Sequence, residues 1–281
     1  MVKEQAGLPV LFIRKVLELN YYAIIFSSNS VSGEQLRMNK KLEGKVALIT
    51  GASSGIGRAS ALALAEEGTN LILTARRQER LEEIRSKVEK AGGKTVSIIG
   101  DATQEDTAKK CVDAAVKTLG TLDILINNVG IGNYKDLVDT SAAEYDEMMD
   151  TNFRSTFLFT RHTVPVMIKQ GSGTILMISS MAGIYGFAGE AVYSATKFAQ
   201  VGFAQSLDKE LRPKGIRVGV ICPGGVKTEF AIGKGRTEKS VASSGMLDPE
   251  DVAGAVVLAC TQSKNSRIIE VQMRTMNESL T

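Results

Sequence analysis

Thr50-Gly51-Ala52-Ser53-Ser54-Gly55-Ile56-Gly57-Arg58 is the most informative segment of the chain. It follows the β-branched and apolar run Val46–Thr50 and opens a stretch of helical composition, so it reads as a glycine-rich turn between a strand and a helix. Backbone N–H groups at a helix N-terminus attract phosphate. Gly51 permits a tight turn, Gly55 lets the backbone approach a phosphate, and Gly57 lets helix and sheet pack closely. Ser53, Ser54 and Ile56 are candidate contacts within the same loop. The spacing is not G-x-G-x-x-G, because the third glycine counted from Gly55 falls at Ser60.

Outward from this turn, short apolar runs recur at Leu71–Thr74, Val96–Ile99, Leu122–Ile126, Thr174–Ser179 and Ile216–Cys222, with Ile268–Gln272 as a late strand. Amphipathic stretches of helical length separate them, at Gln78–Lys90, Glu105–Thr118, Ala142–Ile168 and Ala191–Leu211. Strands alternating with helices predict an α/β fold: a single Rossmann-type, doubly wound parallel β-sheet with helices on both faces. The expected domain spans residues 44–281, with its regular pattern over roughly 44–275. The 281-residue chain is 43% apolar and 23% charged, too apolar for disorder. A net charge of +3 gives no basic block for nucleic acid. Three cysteines without a C-x-x-C pair exclude a disulfide scaffold and suit a reducing, cytoplasmic location. The single His162 argues against a His-rich metal site and reads as a plain helical residue, so no metal is expected.

Residues 1–43 differ from the rest. The apolar runs Leu8–Ile13 and Tyr21–Phe26 are too short and too interrupted for a membrane span or a signal-peptide core. A polar stretch follows at Ser27–Gly33. This segment reads as a poorly ordered or dispensable leader, with an ordinary domain start at Met38 and residues 1–37 expected to be unnecessary.

Two further constellations carry chemistry. The second strand ends in Ala75-Arg76-Arg77, where an NAD-specific fold would place an acid for the ribose 2′-hydroxyl. Two guanidiniums suit a 2′-phosphate, so NADP(H) is preferred, with NAD(H) as the alternative. Tyr193 and Lys197, at i and i+4, share one helical face. A neighbouring ammonium favours phenolate, which would lower the tyrosine pKa towards acid–base use. Ser180 follows the strand Ile175–Ile178 at the end where α/β sheets bind ligands, and without a histidine it suits carbonyl polarisation better than nucleophilic attack.

Taken together, these residues resemble the short-chain dehydrogenase/reductase family in its compact single-domain branch, over about residues 44–275. Thr50-Gly51-x-x-x-Gly55-x-Gly57 is similar to the family's nucleotide loop, and Asp101 with Ala102 to its adenine-contacting position. Asn127-Asn128-Val129-Gly130 is similar to the motif closing the fourth strand, with Val129 in place of the usual alanine. Pro223-Gly224-Gly225-Val226-Lys227-Thr228 is similar to the loop that receives the nicotinamide carboxamide. The resemblance implies a catalytic tetrad of Asn152, Ser180, Tyr193 and Lys197. Tyr193 would be the general acid/base, Lys197 would bind the nicotinamide ribose, Ser180 would polarise the carbonyl, and Asn152 would hold a water. It further implies cofactor contacts from Asn128, Gly130, Pro223, Gly224, Val226 and Thr228, a carbonyl or secondary-alcohol substrate, and a homodimer or homotetramer.

Residues 229–247, with Lys234, Arg236 and Lys239, read as a solvated mobile lid, with attraction of an anionic substrate by these basic residues as the alternative. Tyr134, Ala182, Tyr185, Phe187 and Glu190 are candidate pocket residues. The competing readings are a non-catalytic NADP-binding regulator, an NAD-linked alcohol dehydrogenase, a sugar-nucleotide epimerase and a membrane-surface enzyme.

Overall fold

Strand β1 (Val46–Thr50) is buried along its whole length, with Val46 and Leu48 packed to one side and Ala47 and Ile49 to the other. Such two-sided burial is the mark of a central parallel strand. The computed structural model describes Lys40–Asn277, apart from Ser244 and the Ser243 side chain. The expectations for residues 1–39 lie outside the described residues. From Lys41 onward the chain forms one compact unit.

β1 pairs in parallel with β2 (Asn70–Ala75) and β4 (Ile124–Asn127). Strands β3 (Thr95–Ile99), β5 (Gly173–Ile178), β6 (Ile216–Pro223) and β7 (Glu270–Met273) complete a seven-stranded parallel sheet of order β3-β2-β1-β4-β5-β6-β7. One core layer holds Cys111 of α3 (Glu105–Ala114), Phe159 of α5 (Ser155–Gln170) and Val201 of α6 (Ala191–Leu211). The opposite layer holds Leu64 of α1 (Gly55–Glu66), Leu81, Ile84 and Val88 of α2 (Gln78–Lys90), and Val252 of α8 (Pro249–Cys260). The expected doubly wound architecture is therefore present. The chain reverses its direction of winding between β1 and β4, which opens a crevice at the strands' C-terminal ends.

Two expected helices differ from the sequence reading. The stretch Ala142–Ile168 is divided into α4 (Ala142–Met149), a π-helical turn (Asp150–Arg154) and α5. The stretch Glu105–Thr118 ends as α3 followed by a π-helical turn at Ala115–Leu119. A π turn adds a residue without breaking the helix, so composition does not betray it, and such turns cluster at functional sites. The supposed lid contains the short helix α7 (Glu238–Ser243). Among the described residues, no helix is long and apolar enough to cross a membrane.

Candidate active site

A cavity of about 730 Å³ lies at the crevice. Every strand from β1 to β6 delivers residues to it: Gly51, Arg76, Asp101, Asn128, Ser180 and Gly224 stand just beyond the successive strand ends. Helix α1 begins at the cavity with no side-chain cap and no acidic residue in its first turn, leaving its first N–H groups facing it without a competing carboxylate. Ser53, Ser54, Gly55 and Ile56 line this end. Gly57 does not; a Cβ there would collide with the Gly51 carbonyl and lie 2.5 Å from Asn128 Nδ2, so its part is close packing beneath the loop. Asn128 fixes the loop from the other side, donating from Nδ2 to the Thr50 carbonyl at 2.9 Å and the Gly51 carbonyl at 3.2 Å.

The two arginines after β2 behave differently. Arg77 donates to Ser54 Oγ at 2.7 Å and Ser53 Oγ at 3.2 Å, which draws the guanidinium onto the glycine loop. It also pairs with Glu229 at 2.7 Å, and Arg80 pairs with the other oxygen of Glu229 at 2.5 Å. Hydrogen bonds from these arginines hold the Glu229 carboxyl below its ordinary pKa. Arg76 is exposed on the same cavity. Asp101 and Ala102 line the far end, and Asp101 Oδ1 accepts from Thr103 N and Oγ1, each at 2.9 Å. Gly130, Gly224, Val226 and Thr228 line the remainder of the expected nucleotide path. This set of open helix N–H groups, cationic donors and an acidic residue fits a phosphorylated dinucleotide.

At the other end, α6 brings Tyr193 and Lys197 to the cavity, where Ser180 stands beside the Tyr193 phenol. Ser180 Oγ accepts from Ala182 N at 3.1 Å, which fixes its rotamer. Burial pushes the Tyr193 phenol above its ordinary pKa, with Tyr134 and Glu190 acting in the same direction and Ser180 opposing. The expected pull from Lys197 is not what sets this value. Lys197 Nζ donates to the Ile178 carbonyl and to Gln200 Oε1, both at 3.0 Å, and stands 5.8 Å from the Tyr193 ring centroid. Burial lowers Lys197 to about 8.

Asn152 does not line the cavity. Its side chain is fully buried in the π turn, where Oδ1 accepts from Ile131 N at 2.7 Å and Nδ2 donates to the Ile131 carbonyl and Thr196 Oγ1, both at 2.9 Å. Its carbonyl accepts from Gln200 Nε2 at 3.0 Å. Asn152 thus ties the loop after β4 to helix α6, and its side chain, expected to hold a water, is engaged by the protein itself. Gln200 and Thr196 were missed by sequence reasoning, although each lies three residues along α6 from Lys197 or Tyr193, on the same face.

Of the candidate pocket residues, Tyr134, Ala182, Phe187 and Glu190 line the cavity, whereas Tyr185 lies outside it, beneath Arg274. The rings of Tyr134, Tyr193 and Phe230 form one cluster, with centroids 5.6 to 6.5 Å apart. Phe230 and Arg236 were not singled out as wall residues, because both sit in the supposed lid. His162 Nε2 donates to Glu105 Oε1 at 2.9 Å between α5 and α3, a structural contact.

A doubly wound sheet whose crevice joins an open phosphate loop to a serine, a tyrosine and a lysine defines a nucleotide-dependent oxidoreductase class. Residues 45–239 match the family model of short chain dehydrogenases, and the chain belongs to that family. It is 34% identical over 233 residues to an uncharacterized oxidoreductase of Staphylococcus aureus strain USA300, covering 83% of this chain and 98% of that one. It is 35% identical over 245 residues to the glycine betaine reductase ATRR of Emericella nidulans, covering 85% of this chain but only 19% of that protein's length. Among solved structures, it resembles a metagenomic short-chain oxidoreductase in complex with NADP (TM-score 0.73, 32% identity, 85% of this chain and 100% of that one). It also resembles an alcohol dehydrogenase from Thermococcus sibiricus complexed with 5-hydroxy-NADP (TM-score 0.77, 28% identity, 84% and 99%).

Proposed function

We propose that this protein is an NADP(H)-dependent oxidoreductase that interconverts a carbonyl compound and a secondary alcohol, with Tyr193 as general acid/base. The observation that carries the reading is the convergence of Ser180, Tyr193 and Lys197 on one end of a cavity whose other end is built by the glycine loop and Arg77. Two relatives crystallised with NADP or 5-hydroxy-NADP support the cofactor class.

The glycine loop and the start of α1 hold the pyrophosphate, Arg76 and Arg77 the 2′-phosphate, Asp101 and Ala102 the adenine end, and Pro223, Gly224, Val226 and Thr228 the nicotinamide end. When bound, the reduced nicotinamide supplies the two electrons of carbonyl reduction. The remaining work belongs to the chain. Ser180 donates to the substrate carbonyl oxygen and polarises it. Tyr193, kept as a neutral phenol by burial, gives its proton to that oxygen. Lys197 reaches the ribose while anchored by Ile178 and Gln200. Asn152 acts as a positioning residue, holding the loop at Ile131 against α6.

Large apolar side chains exposed on α4, α5 and α6, such as Tyr145, Phe157 and Phe198, support a homodimer or homotetramer. A small molecule is the partner proposed for the cavity, and a cytoplasmic site of action is proposed from the thiol content.

The test is a panel of aldehydes, ketones and alcohols followed by NADPH absorbance, with Tyr193→Phe in parallel. Turnover is expected to fall by about 10²–10⁴-fold in that variant, the range of general acid–base catalysis, while NADPH binding read by fluorescence persists. Near-normal turnover in Tyr193→Phe rules the assignment out.

A further inference from the structure

Arg236 lies in a turn that is built rather than loose. Lys234 N and Arg236 N both donate to the Ala231 carbonyl at 3.0 Å, and Gly233 N donates to the Arg236 carbonyl at 2.9 Å. Ala231 adopts a left-handed conformation, φ 59°, which a residue with a side chain adopts only under constraint. The turn is fastened to the wall of the cavity: Tyr134 N donates to the Lys234 carbonyl at 3.1 Å, and a Cβ on Gly235 would lie 2.5 Å from Tyr134 Cβ. Residues 232–235 are exposed, whereas Arg236 is half-buried and folds back over the cavity. The expectation of a solvated lid fails at this residue.

The Arg236 guanidinium stands 5.5 Å from the Tyr134 ring centroid and 5.7 Å from that of Phe230. Those rings lie 5.6 and 5.7 Å from the ring of Tyr193. Stacking on aromatic rings orients a guanidinium, and the Arg236 charge draws down the Tyr134 phenol that burial raises. Of the other cations lining the cavity, Lys234 pairs with Glu147 at 3.3 Å, Arg77 pairs with Glu229, and Arg76 stands just beyond β2 at the glycine-loop end. Glu190 borders the same space; burial raises its pKa and the Arg236 charge lowers it, but the two form no ion pair among the described residues. The Arg236 charge is felt at the Tyr193 phenol.

We propose that Arg236 anchors the substrate, and that the substrate is a carbonyl compound bearing a carboxylate, held along the aromatic wall of Tyr134 and Phe230 with its carbonyl at Tyr193. This rests on the reductase reading given above and supplies its substrate class. The carboxylate is a handle and does not react. In reduction the carbonyl carbon accepts a hydride equivalent from NADPH and its oxygen takes the Tyr193 proton, so an oxo acid becomes a hydroxy acid and NADP⁺ is released. Guanidinium–carboxylate pairing is the strong bidentate form of charge-assisted hydrogen bond.

The experiment measures kcat/KM with NADPH for 4-oxopentanoate and phenylglyoxylate, each against its methyl ester, in wild type, Arg236→Leu and Arg236→Lys. Intrinsic reactivity cancels when acid-to-ester ratios are compared between variants. For at least one pair the ratio is expected to fall tenfold or more in Arg236→Leu, with part of it retained in Arg236→Lys. Arg236→Gln reads the same ratio if the leucine variant does not fold. A change below tenfold, or a wild type that turns over neither acid, overturns the proposal. Turnover of benzaldehyde or 2,3-butanedione without either acid leaves the reductase reading standing, whereas absence of NADPH binding by fluorescence removes both.

Discussion

Arg77 and Glu229 form an ion pair 2.7 Å long although 152 residues separate them. The same guanidinium donates to Ser54 in the glycine loop, so Glu229 occupies the anionic side of a group proposed to grip a 2′-phosphate. A phosphate at that place competes with Glu229 for Arg77. Charge-assisted hydrogen bonds are worth about 1.5–3 kcal/mol, so Arg77→Ala should reduce kcat/KM for NADPH by roughly 10- to 100-fold and leave NADH within a few-fold. Glu229→Gln should shift the NADPH-to-NADH ratio the other way. Equal losses for both cofactors in Arg77→Ala would defeat the assignment of NADP(H) preference.

The buried ammonium of Lys197 makes a pH prediction with a definite sign. Its pKa in the folded protein is lowered to about 8 from 10.5, chiefly by burial. Between those values the unfolded chain retains a proton that the folded chain has released, so stability gains from this group as pH rises. Below about 8 both states are charged and the burial penalty stands in full. The difference in Tm between wild type and Lys197→Met should therefore grow in favour of wild type from pH 8 to 10.5. A difference that stays flat shows a lysine titrating normally.

Asn152 has three side-chain hydrogen bonds and no exposed surface. Asn152→Ala strands the partly buried N–H and carbonyl of Ile131, at about 1–3 kcal/mol for each group, whereas Thr196 Oγ1 keeps its bond to the Tyr193 carbonyl. Urea unfolding should show a loss of about 2–4 kcal/mol, together with reduced kcat as the loop after β4 loses its tie to α6. A variant as stable as wild type would mean that the π turn is held by other contacts.

A chain beginning at Met38 should fold and turn over substrate as the full chain does, because every residue proposed for the site lies at or beyond Gly51. Circular dichroism and the NADPH assay check this; loss of either assigns a necessary role to residues 1–37.

These residues also show which features are legible in a sequence. Helices α2 and α6 begin and end where their apolar period does, because Leu81, Ile84 and Val88 in one, and Val201 and Ala204 in the other, meet the sheet at helical spacing. The inner strands β1, β2, β4, β5 and β6 are legible because burial on both faces demands continuous apolar runs. The glycine loop, Ser180, Tyr193 and Lys197 carry local patterns, and all reach one cavity. The π turn at Asp150–Arg154 has no such signature: it contains neither glycine nor proline, and the bonds from Asn152 to Ile131 and Thr196 come from elsewhere in the fold. The Arg77–Glu229 pair and the ring cluster of Tyr134, Tyr193 and Phe230 are likewise products of tertiary structure, joining segments with no local relation.

The turn that carries Glu229 at one end and Arg236 at the other reaches both halves of the cavity. An engineer who edits this segment to exchange one coenzyme for the other will move the residue facing the substrate as well. If Arg77 and Arg236 act as proposed, selectivity for the two reactants sits in a single cassette, and grafting it between homologues should transfer both traits together.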